Sequence, residues 1–332
     1  MPSTTIAAPS CAIIIPLYNK EKQILRALNS VICQRTPFSQ IIVVNDCSTD
    51  KSVEIVERFI ADHPEAAVQL IQHQRNSGPG AARNTGLAVL QSDYTCFLDA
   101  DDFLAPTASE DLRRALNACK KLPGLVIYCV REQGSGAVRP SFRHLQQTDF
   151  AHTIDGNLLK LMDWASAMVS EPLFCSGGNV LINRQLTKSR FDSALRNFED
   201  WDFYFRVCHA AIDSGLEILV SDHVGLTYTE EDELSLSRAP FVSPSLRNPP
   251  PFIANNVDLP LNVRRFTAGV WLCHVTQRSG FRDGIAFFHK AISGTGDARP
   301  SLKHFIAASL VLLFGRKCWG IISRWRKRLR YV

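Results

Sequence analysis

Short apolar runs alternate with helical patterns along the first 130 residues. Between the first two runs, Ile24, Leu28 and Val31 recur at the spacing of one helix face. The runs themselves are continuous, as in strands buried on both faces, and occupy residues 12–15, 41–44, 68–71, 94–98 and 125–130. Strands that alternate with helices predict βαβ units around a mostly parallel central sheet, so we assign the chain to the α/β class.

The pattern changes after residue 130. Periodicity is poor over 131–171, and only short strand patterns follow, at 178–182 and 218–220. A segment rich in Pro and Asn at 240–260 predicts a linker, and helical spacing resumes after it. We therefore expect an α/β domain made of two halves, 1–130 and 131–240, and then a linker with a helical region at 241–332.

Composition narrows the class of protein. The chain is 45% hydrophobic and 21% charged, which is typical of a folded globular protein. Its formal net charge of +5 comes from 301–332, which holds eight of the 37 basic residues and no acid. The remainder is slightly acidic, so we expect no nucleic-acid partner. Ten cysteines without CxxC spacing, no secretory leader pattern at the start and no spanning apolar run predict a reducing, cytoplasmic location.

Three carboxylates follow the fourth apolar run. Asp99, Asp101 and Asp102 lie within four residues, where their charges repel one another. A divalent cation would relieve that repulsion, because Mg²⁺ and Mn²⁺ take carboxylate oxygens together with substrate phosphates. The alternative is a solvated acidic turn, and these residues alone do not decide between the two.

Other polar residues fall at the predicted strand ends. Pro16 and Tyr18 follow the first strand, and the Tyr18 ring could stack on a nucleotide base or be an ordinary half-buried aromatic. Asp46 follows the second strand and could accept hydrogen bonds from a base or ribose, or form a turn. Arg83 could pair with phosphate or with an Asp, or be solvated. Ligands of parallel sheets gather at this edge.

Four motifs together resemble the family 2 glycosyltransferases. They read PLYN at 16–19, VNDCSTD at 44–50, NSGPGAARNTG at 76–86 and FLDADD at 97–102. The resemblance implies the GT-A fold, a Rossmann-like sheet flanked by helices, and metal-dependent transfer of a sugar from a nucleotide-diphosphate donor with inversion. It makes 1–130 the donor half and 131–240 the acceptor and catalytic half.

The same resemblance implies roles for single residues. Asp46 is expected to bind a uracil-type base, Arg83 the donor, and Asp99 the ribose or an upstream residue. Asp101 is expected to be the principal ligand of Mn²⁺ or Mg²⁺, with Asp102 as a second. NFEDWDF at 197–203 resembles the family's Glu-Asp motif, which would make Asp200 the general base. The adjacent Glu199 would orient Asp200 or contact the acceptor; a plain acidic helix start is the alternative.

One segment departs from the family pattern. Many members carry a metal-binding His before a Ser-rich loop, whereas this chain reads YTEEDELSLSR at 228–238. Either Glu231 or Asp232 supplies a carboxylate there, or the metal has only Asp101 and phosphates. The acidic cluster is equally consistent with a solvated loop.

The C-terminal tail predicts an amphipathic helix. Cys318, Ile322, Trp325 and Leu329 share one helical face, and Lys and Arg fill the rest. Such a helix suits the anionic cytoplasmic face of a membrane, or it is a docked terminal helix with a basic surface. A membrane site would favour a glycan or lipid-linked acceptor, as in surface polysaccharide synthesis.

Two other classes of function fit the sequence less well. A nucleotidyltransferase or a dehydrogenase would show a Gly-rich loop after the first strand, which PLYNK is not. A non-catalytic nucleotide-sugar-binding protein would lack Asp101 or Asp200, and the chain has both.

Overall fold

A computed structural model describes residues 9–119, 121–195, 198–229, 249–255, 259–278 and 281–314. The chain divides into two compact units. The first comprises Met1–Ala167 and Glu171–Asp232, and the second comprises Met168–Ser170 and Glu233–Val332. The predicted tail helix at 318–329 lies outside the described residues. In the described part of the chain, no helix is both long and apolar enough to cross a membrane.

The first unit is built on one eleven-stranded sheet. Its main path runs β3-β2-β1-β4-β10-β6-β11-β9-β8, with β5 paired to β11 and β7 to β6. The strands are β1 Cys11–Leu17, β2 Gln40–Asn45, β3 Val68–Gln72, β4 Tyr94–Phe97, β5 Phe103–Leu104, β6 Leu125–Glu132, β7 Val138–Arg139, β8 Ala151–Asp155, β9 Leu158–Leu161, β10 Val180–Asn183 and β11 Ile218–Tyr228.

Helices flank this sheet. Helix α1 buries Ile24, Ala27, Leu28 and Val31, the face that the apolar spacing indicates. The helices of the unit are α1 Ile24–Ile32, α2 Ser52–Asp62, α3 Pro79–Ala88, α4 Ala108–Asn117, α5 Phe142–Gln146, α6 Trp164–Ser170 and α7 Glu199–Asp213. The last three residues of α6 are grouped with the second unit.

The sheet is parallel where the apolar runs are continuous. β1 pairs in parallel with β2 and β4, and β2 with β3. Every residue of β1 is buried, because helices cover both faces of such a sheet. The carboxyl ends of β1, β2 and β4 therefore meet at one edge. Beyond β4 the sheet is mixed, since β10 runs antiparallel to both β4 and β6.

The second unit is helical. It contains α8 Pro251–Asn255, α9 Leu261–Arg278, α10 Phe281–Ser293 and α11 Leu302–Phe314. Trp271 of α9 is fully buried and meets Phe287 of α10 edge to face. Arg264 is also buried and donates to both carboxylate oxygens of Asp297, at 2.8 and 3.0 Å.

The α/β prediction is confirmed, with two differences in the second half of the sheet. The strand expected at 218–220 extends to Tyr228, through register shifts near Val224 that interrupt its alternation. The poorly periodic segment 131–171 contains the β8–β9 hairpin, whose first strand is almost entirely exposed. An exposed strand carries few apolar residues, which is why periodicity did not indicate it.

Candidate functional site

The loops after β1 and β2 are tied together. The backbone N–H of Asn19 donates to the Ser48 hydroxyl at 3.0 Å, and the Asn19 side-chain oxygen accepts from the Thr49 N–H at 2.8 Å. The Lys20 N–H donates to the Ser52 hydroxyl at 2.8 Å. These bonds hold the PLYN segment in place. Pro16 is buried in β1, and Tyr18 is 45% exposed.

Asp46 fastens the loop that leads into α3. One carboxylate oxygen accepts from the Ser77 N–H at 2.8 Å and the other from the Gly78 N–H at 2.6 Å. A ring nitrogen of His73 lies 2.8 Å from the first oxygen. Gly78 has a φ of 91°, which favours glycine, and Pro79 then begins the helix. Asp46 is thus buried, and its carboxylate is engaged by the loop between β3 and α3.

Arg83 joins two distant parts of the chain. Its guanidinium donates to Asp99 at 2.7 Å and to Glu199 at 3.1 Å, and the residue is only 4% exposed. Burial opposes its charge, but the two carboxylates outweigh that effect and raise the pKa of Arg83 above its ordinary value. Asp99, on the β4 side, is thereby connected to the first residue of α7.

The Glu-Asp motif forms the first turn of α7. Phe198 precedes it with a φ of 61°, a left-handed conformation that is costly for an aromatic residue. The Asp200 carboxylate accepts the Trp201 N–H at 2.9 Å. Burial, and next the negative charge of Glu199, raises the pKa of Asp200 to about 7. A carboxyl group with that pKa can take up and release a proton near neutral pH.

The aspartates after β4 have different partners. The Lys20 ammonium donates to an Asp101 carboxylate oxygen at 2.6 Å. One Asp102 oxygen accepts the Thr229 N–H at 2.9 Å, and its buried second oxygen has no hydrogen-bond partner among the described residues. Burial, and next the negative charge of Asp99, raises the pKa values of both Asp101 and Asp102.

Two observations indicate that Asp101 and Asp102 fit a divalent cation. The second Asp102 oxygen is buried and has no partner in the described part of the chain, and the Lys20 ammonium already lies beside Asp101 as a positive charge. In the described part of the chain, no group of three or more His, Cys, Asp or Glu is arranged to hold a metal. Mg²⁺ usually takes only one or two carboxylates, and phosphates complete its shell. Glu231 and Asp232 lie outside the described residues.

Two glycines at this edge, Gly177 and Gly178, were not predicted from the sequence to belong to the site. A Cβ on Gly177 would lie 2.5 Å from an Arg83 guanidinium nitrogen, and one on Gly178 would lie 2.6 Å from the Phe97 carbonyl oxygen. The Tyr204 hydroxyl donates to the Gly177 carbonyl at 2.6 Å. The Gly-Gly pair before β10 was the available signal, because consecutive glycines often mark a close backbone approach.

Replacing Gly178 tests how tightly this edge is packed. We expect Gly178→Ala to lower the free energy of unfolding by about 1–3 kcal/mol, because the Phe97 carbonyl belongs to β4 and has little room to retreat. Gly156→Ala is the control, since nothing lies within 4 Å of its Cβ. Urea unfolding measures both, and equal stability of the two variants would contradict the packing described here.

The sheet edge therefore holds two sets of side chains. Arg83 brings Asp99, Glu199 and hence Asp200 together, and Lys20 meets Asp101 beside Asp102. Tyr18 is exposed after β1, while Asp46 braces the loop before α3.

Sequence comparisons agree with the motifs. The uncharacterized glycosyltransferase YibD of Escherichia coli is 42% identical over 101 residues, which are 30% of this chain and 28% of YibD. The poly(ribitol-phosphate) β-N-acetylglucosaminyltransferase TarS of Staphylococcus aureus is 35% identical over 103 residues, 30% of this chain and 18% of TarS. The chain thus spans less than a third of the length of these relatives.

Solved structures agree in fold. The crystal structure of S. aureus TarS 1–349 in complex with UDP-GlcNAc matches with a TM-score of 0.56 at 20% identity, covering 86% of this chain and 73% of that one. At this identity the match shows the fold, which is the GT-A fold that the motifs imply. A model of glycosyl transferase family 2 matches residues 12–191, more than half of the chain. The protein is therefore a member of glycosyltransferase family 2.

Proposed function

We propose that the protein transfers a sugar from a nucleotide-diphosphate donor, a UDP-sugar, to an acceptor hydroxyl with inversion at the anomeric carbon. The observation that carries this proposal is the Arg83 bridge, which ties Asp99 at the parallel-strand edge to the Glu199–Asp200 pair. Donor-binding and proton-accepting groups thereby share one buried network. The TarS structure that this chain resembles holds UDP-GlcNAc.

The donor lies across the carboxyl ends of β1, β2 and β4 in this proposal. The exposed Tyr18 ring stacks on the base, next to Pro16, and Asp46 shapes the base pocket. Both Asp46 oxygens already accept backbone N–H groups, so Asp46 recognises the base with its remaining lone pairs or through the Ser77–Gly78 loop that it holds. Arg83 keeps Asp99 oriented toward the ribose.

Asp200 acts as the general base. Its carboxylate takes the proton of the acceptor hydroxyl while the acceptor oxygen forms a bond to the anomeric carbon. The bond from that carbon to the diphosphate oxygen breaks, and its electron pair leaves with the nucleoside diphosphate. Attack from the face opposite the leaving group inverts the configuration. Glu199 supports this step by raising the proton affinity of Asp200 and by holding Arg83.

Asp101 and Asp102 would hold Mn²⁺ or Mg²⁺. When bound, such a cation supplies positive charge to the diphosphate as it leaves. The GalNAc-T7 structure, which matches with a TM-score of 0.51 at 15% identity and covers 83% of this chain and 51% of that one, contains UDP, GalNAc and Mn²⁺. The unsatisfied Asp102 oxygen and the repulsion among the aspartates support the same assignment here.

The acceptor in this proposal is a glycan or a lipid-linked glycan at the cytoplasmic face of a membrane. The name of TarS specifies a poly(ribitol-phosphate) acceptor, which is a polymer. The basic amphipathic pattern at 318–329 supports a peripheral contact with anionic lipid.

A screen of nucleotide sugars tests the proposal. We expect UDP-sugars with Mn²⁺ to raise the melting temperature, because a ligand that binds only the native state stabilises it. At a concentration 100 times Kd the stabilisation is about 2.7 kcal/mol. GDP- and dTDP-sugars are the comparison set. No response to any of the three classes would contradict the proposal, while binding without turnover would indicate a non-catalytic binding protein.

The raised pKa of Asp200 makes a prediction about stability. Because the native state holds the Asp200 proton more tightly than the unfolded chain, the stabilisation is complete below the ordinary Asp pKa of about 4 and is lost as the pH rises through about 7. Asp200→Asn removes this loss. We therefore expect the melting temperature of the variant minus that of wild type to become more positive from pH 5 to pH 8. A difference in melting temperature that does not change with pH would contradict the raised pKa of Asp200.

A further inference from the structure

Lys20 occupies the position where a cation would meet Asp101. Its Nζ lies 2.6 Å from one Asp101 carboxylate oxygen, and the two side chains are only 15% and 18% exposed. The Lys20 backbone is held independently, by its N–H bond to Ser52. The loop after β1 therefore presents an ammonium group to the loop after β4, across 81 residues of sequence.

Lys20 and a metal ion compete for the same oxygen. Mg²⁺ binds carboxylate oxygens at about 2.0–2.1 Å and tolerates little distortion of its shell. An ammonium at 2.6 Å from that oxygen would face the cation at close range, and two positive charges repel. A cation that binds Asp101 through this oxygen must displace Lys20.

The displaced ammonium has a natural second partner. Lys has a flexible four-carbon stem and binds phosphate as a point charge. A nucleotide-sugar donor brings a diphosphate to the same edge. Arg83 is unsuited to such an exchange, because two carboxylates fix its planar guanidinium in a buried position.

We propose that Lys20 is an exchangeable counter-ion: it neutralises Asp101 in the free enzyme and moves to the donor diphosphate when metal and donor bind together. This inference rests on the proposed function and adds a donor-binding residue to it. It also makes the binding of metal and the binding of nucleotide depend on each other. A metal ion alone must displace Lys20 without compensation, whereas the metal with its nucleotide supplies Lys20 with a new anion. Metal and nucleotide should therefore bind cooperatively.

Calorimetric titration of the full chain with Mn²⁺ and with UDP tests the exchange. We expect Lys20→Met to bind Mn²⁺ alone about tenfold more tightly than wild type, because the competing charge is gone. We expect the same variant to bind UDP in saturating Mn²⁺ about tenfold more weakly, because one phosphate contact is lost. Each factor corresponds to about 1.4 kcal/mol. Lys51→Met, an exposed lysine in the neighbouring loop, should change neither affinity.

The outcomes separate this inference from the proposed function. If wild type binds UDP with Mn²⁺ but Lys20→Met has unchanged Mn²⁺ affinity, the exchange is wrong and the proposed function stands. Wild-type binding of UDP that is indifferent to Mn²⁺ also overturns the exchange. If wild type binds UDP under no condition, both fail. Unfolding curves of the variant, matched to wild type, show that an altered affinity is not a folding defect.

Discussion

Asp200→Asn should abolish sugar transfer while leaving donor binding intact. The substitution keeps the size of the side chain but removes the carboxylate that takes the acceptor proton in the proposed reaction. General-base catalysis contributes about 10²–10⁴-fold, so we expect kcat to fall by that factor. The Kd for UDP in the presence of Mn²⁺ should stay within about twofold, since no role in donor binding is assigned to Asp200. Release of UDP from the donor in a coupled assay measures kcat.

The matched control lies on the same helix. Asp213→Asn makes the same chemical change at the far end of α7, where the side chain is 66% exposed and lies 3.7 Å from a ring nitrogen of His209. It should keep full activity. Turnover by Asp200→Asn at the rate of Asp213→Asn would overturn the assignment of the base. A large loss of UDP affinity in Asp200→Asn would instead place this residue in the donor site.

Removing Arg83 should have the largest effect on stability. Arg83→Met leaves Asp99 and Glu199 without their shared cation in a buried setting. Breaking a buried ion pair by removing one partner costs about 3–5 kcal/mol. We expect urea unfolding to show a decrease of that size in the free energy of unfolding. Activity should fall as well, because Asp99 and Glu199 are no longer held together. Arg83→Lys should recover only part of the lost stability, since one ammonium lacks the guanidinium fork.

Arg58→Met provides the comparison at the surface. Arg58 pairs with Glu54 one turn away on α2, and both side chains are more than 60% exposed. Exposed pairs of this kind contribute about 0–1 kcal/mol. If Arg83→Met costs no more than Arg58→Met, Arg83 does not act as the buried link between the two halves of the site.

The first half of the sheet, β1 to β4, was predictable because its central strands are buried on both faces. Continuous apolar runs such as 12–15 and 41–44, separated by short helical patterns, are typical of strands buried on both faces. The motifs at the ends of these strands are also local in sequence. Their order along β1, β2 and β4 therefore indicated both the site edge and the family.

The connections across the site were less accessible to sequence interpretation. Arg83 and Glu199 are 116 residues apart, and no pattern in the sequence shows that α7 returns to the edge of β4. The pairing of Lys20 with Asp101 is hidden for the same reason, because it depends on two loops meeting in space. Lys20 lies in the PLYNK segment, but the sequence alone does not show that its ammonium group pairs with an aspartate.

Asp46 shows how burial alters an expected role. Its position after β2 indicated a ligand-binding carboxylate, but the structure uses both oxygens to hold Ser77 and Gly78. His73, which no sequence pattern singled out, lies between Asp46 and the Thr85 hydroxyl, at 2.8 Å from each. The base-binding role of Asp46 stays a prediction, and its bracing of the loop before α3 is the observed one.

The anomeric configuration of the released sugar tests the proposed reaction most directly. A UDP-sugar with an α-linked sugar can be hydrolysed slowly in Mn²⁺ without an acceptor, with water in place of the acceptor hydroxyl. Early ¹H NMR spectra then report the first anomer before mutarotation. We expect the β-anomer to appear first with wild type, and to appear far more slowly with Asp200→Asn. Initial formation of the α-anomer, or equal rates for the two proteins, would contradict inverting transfer with Asp200 as the base.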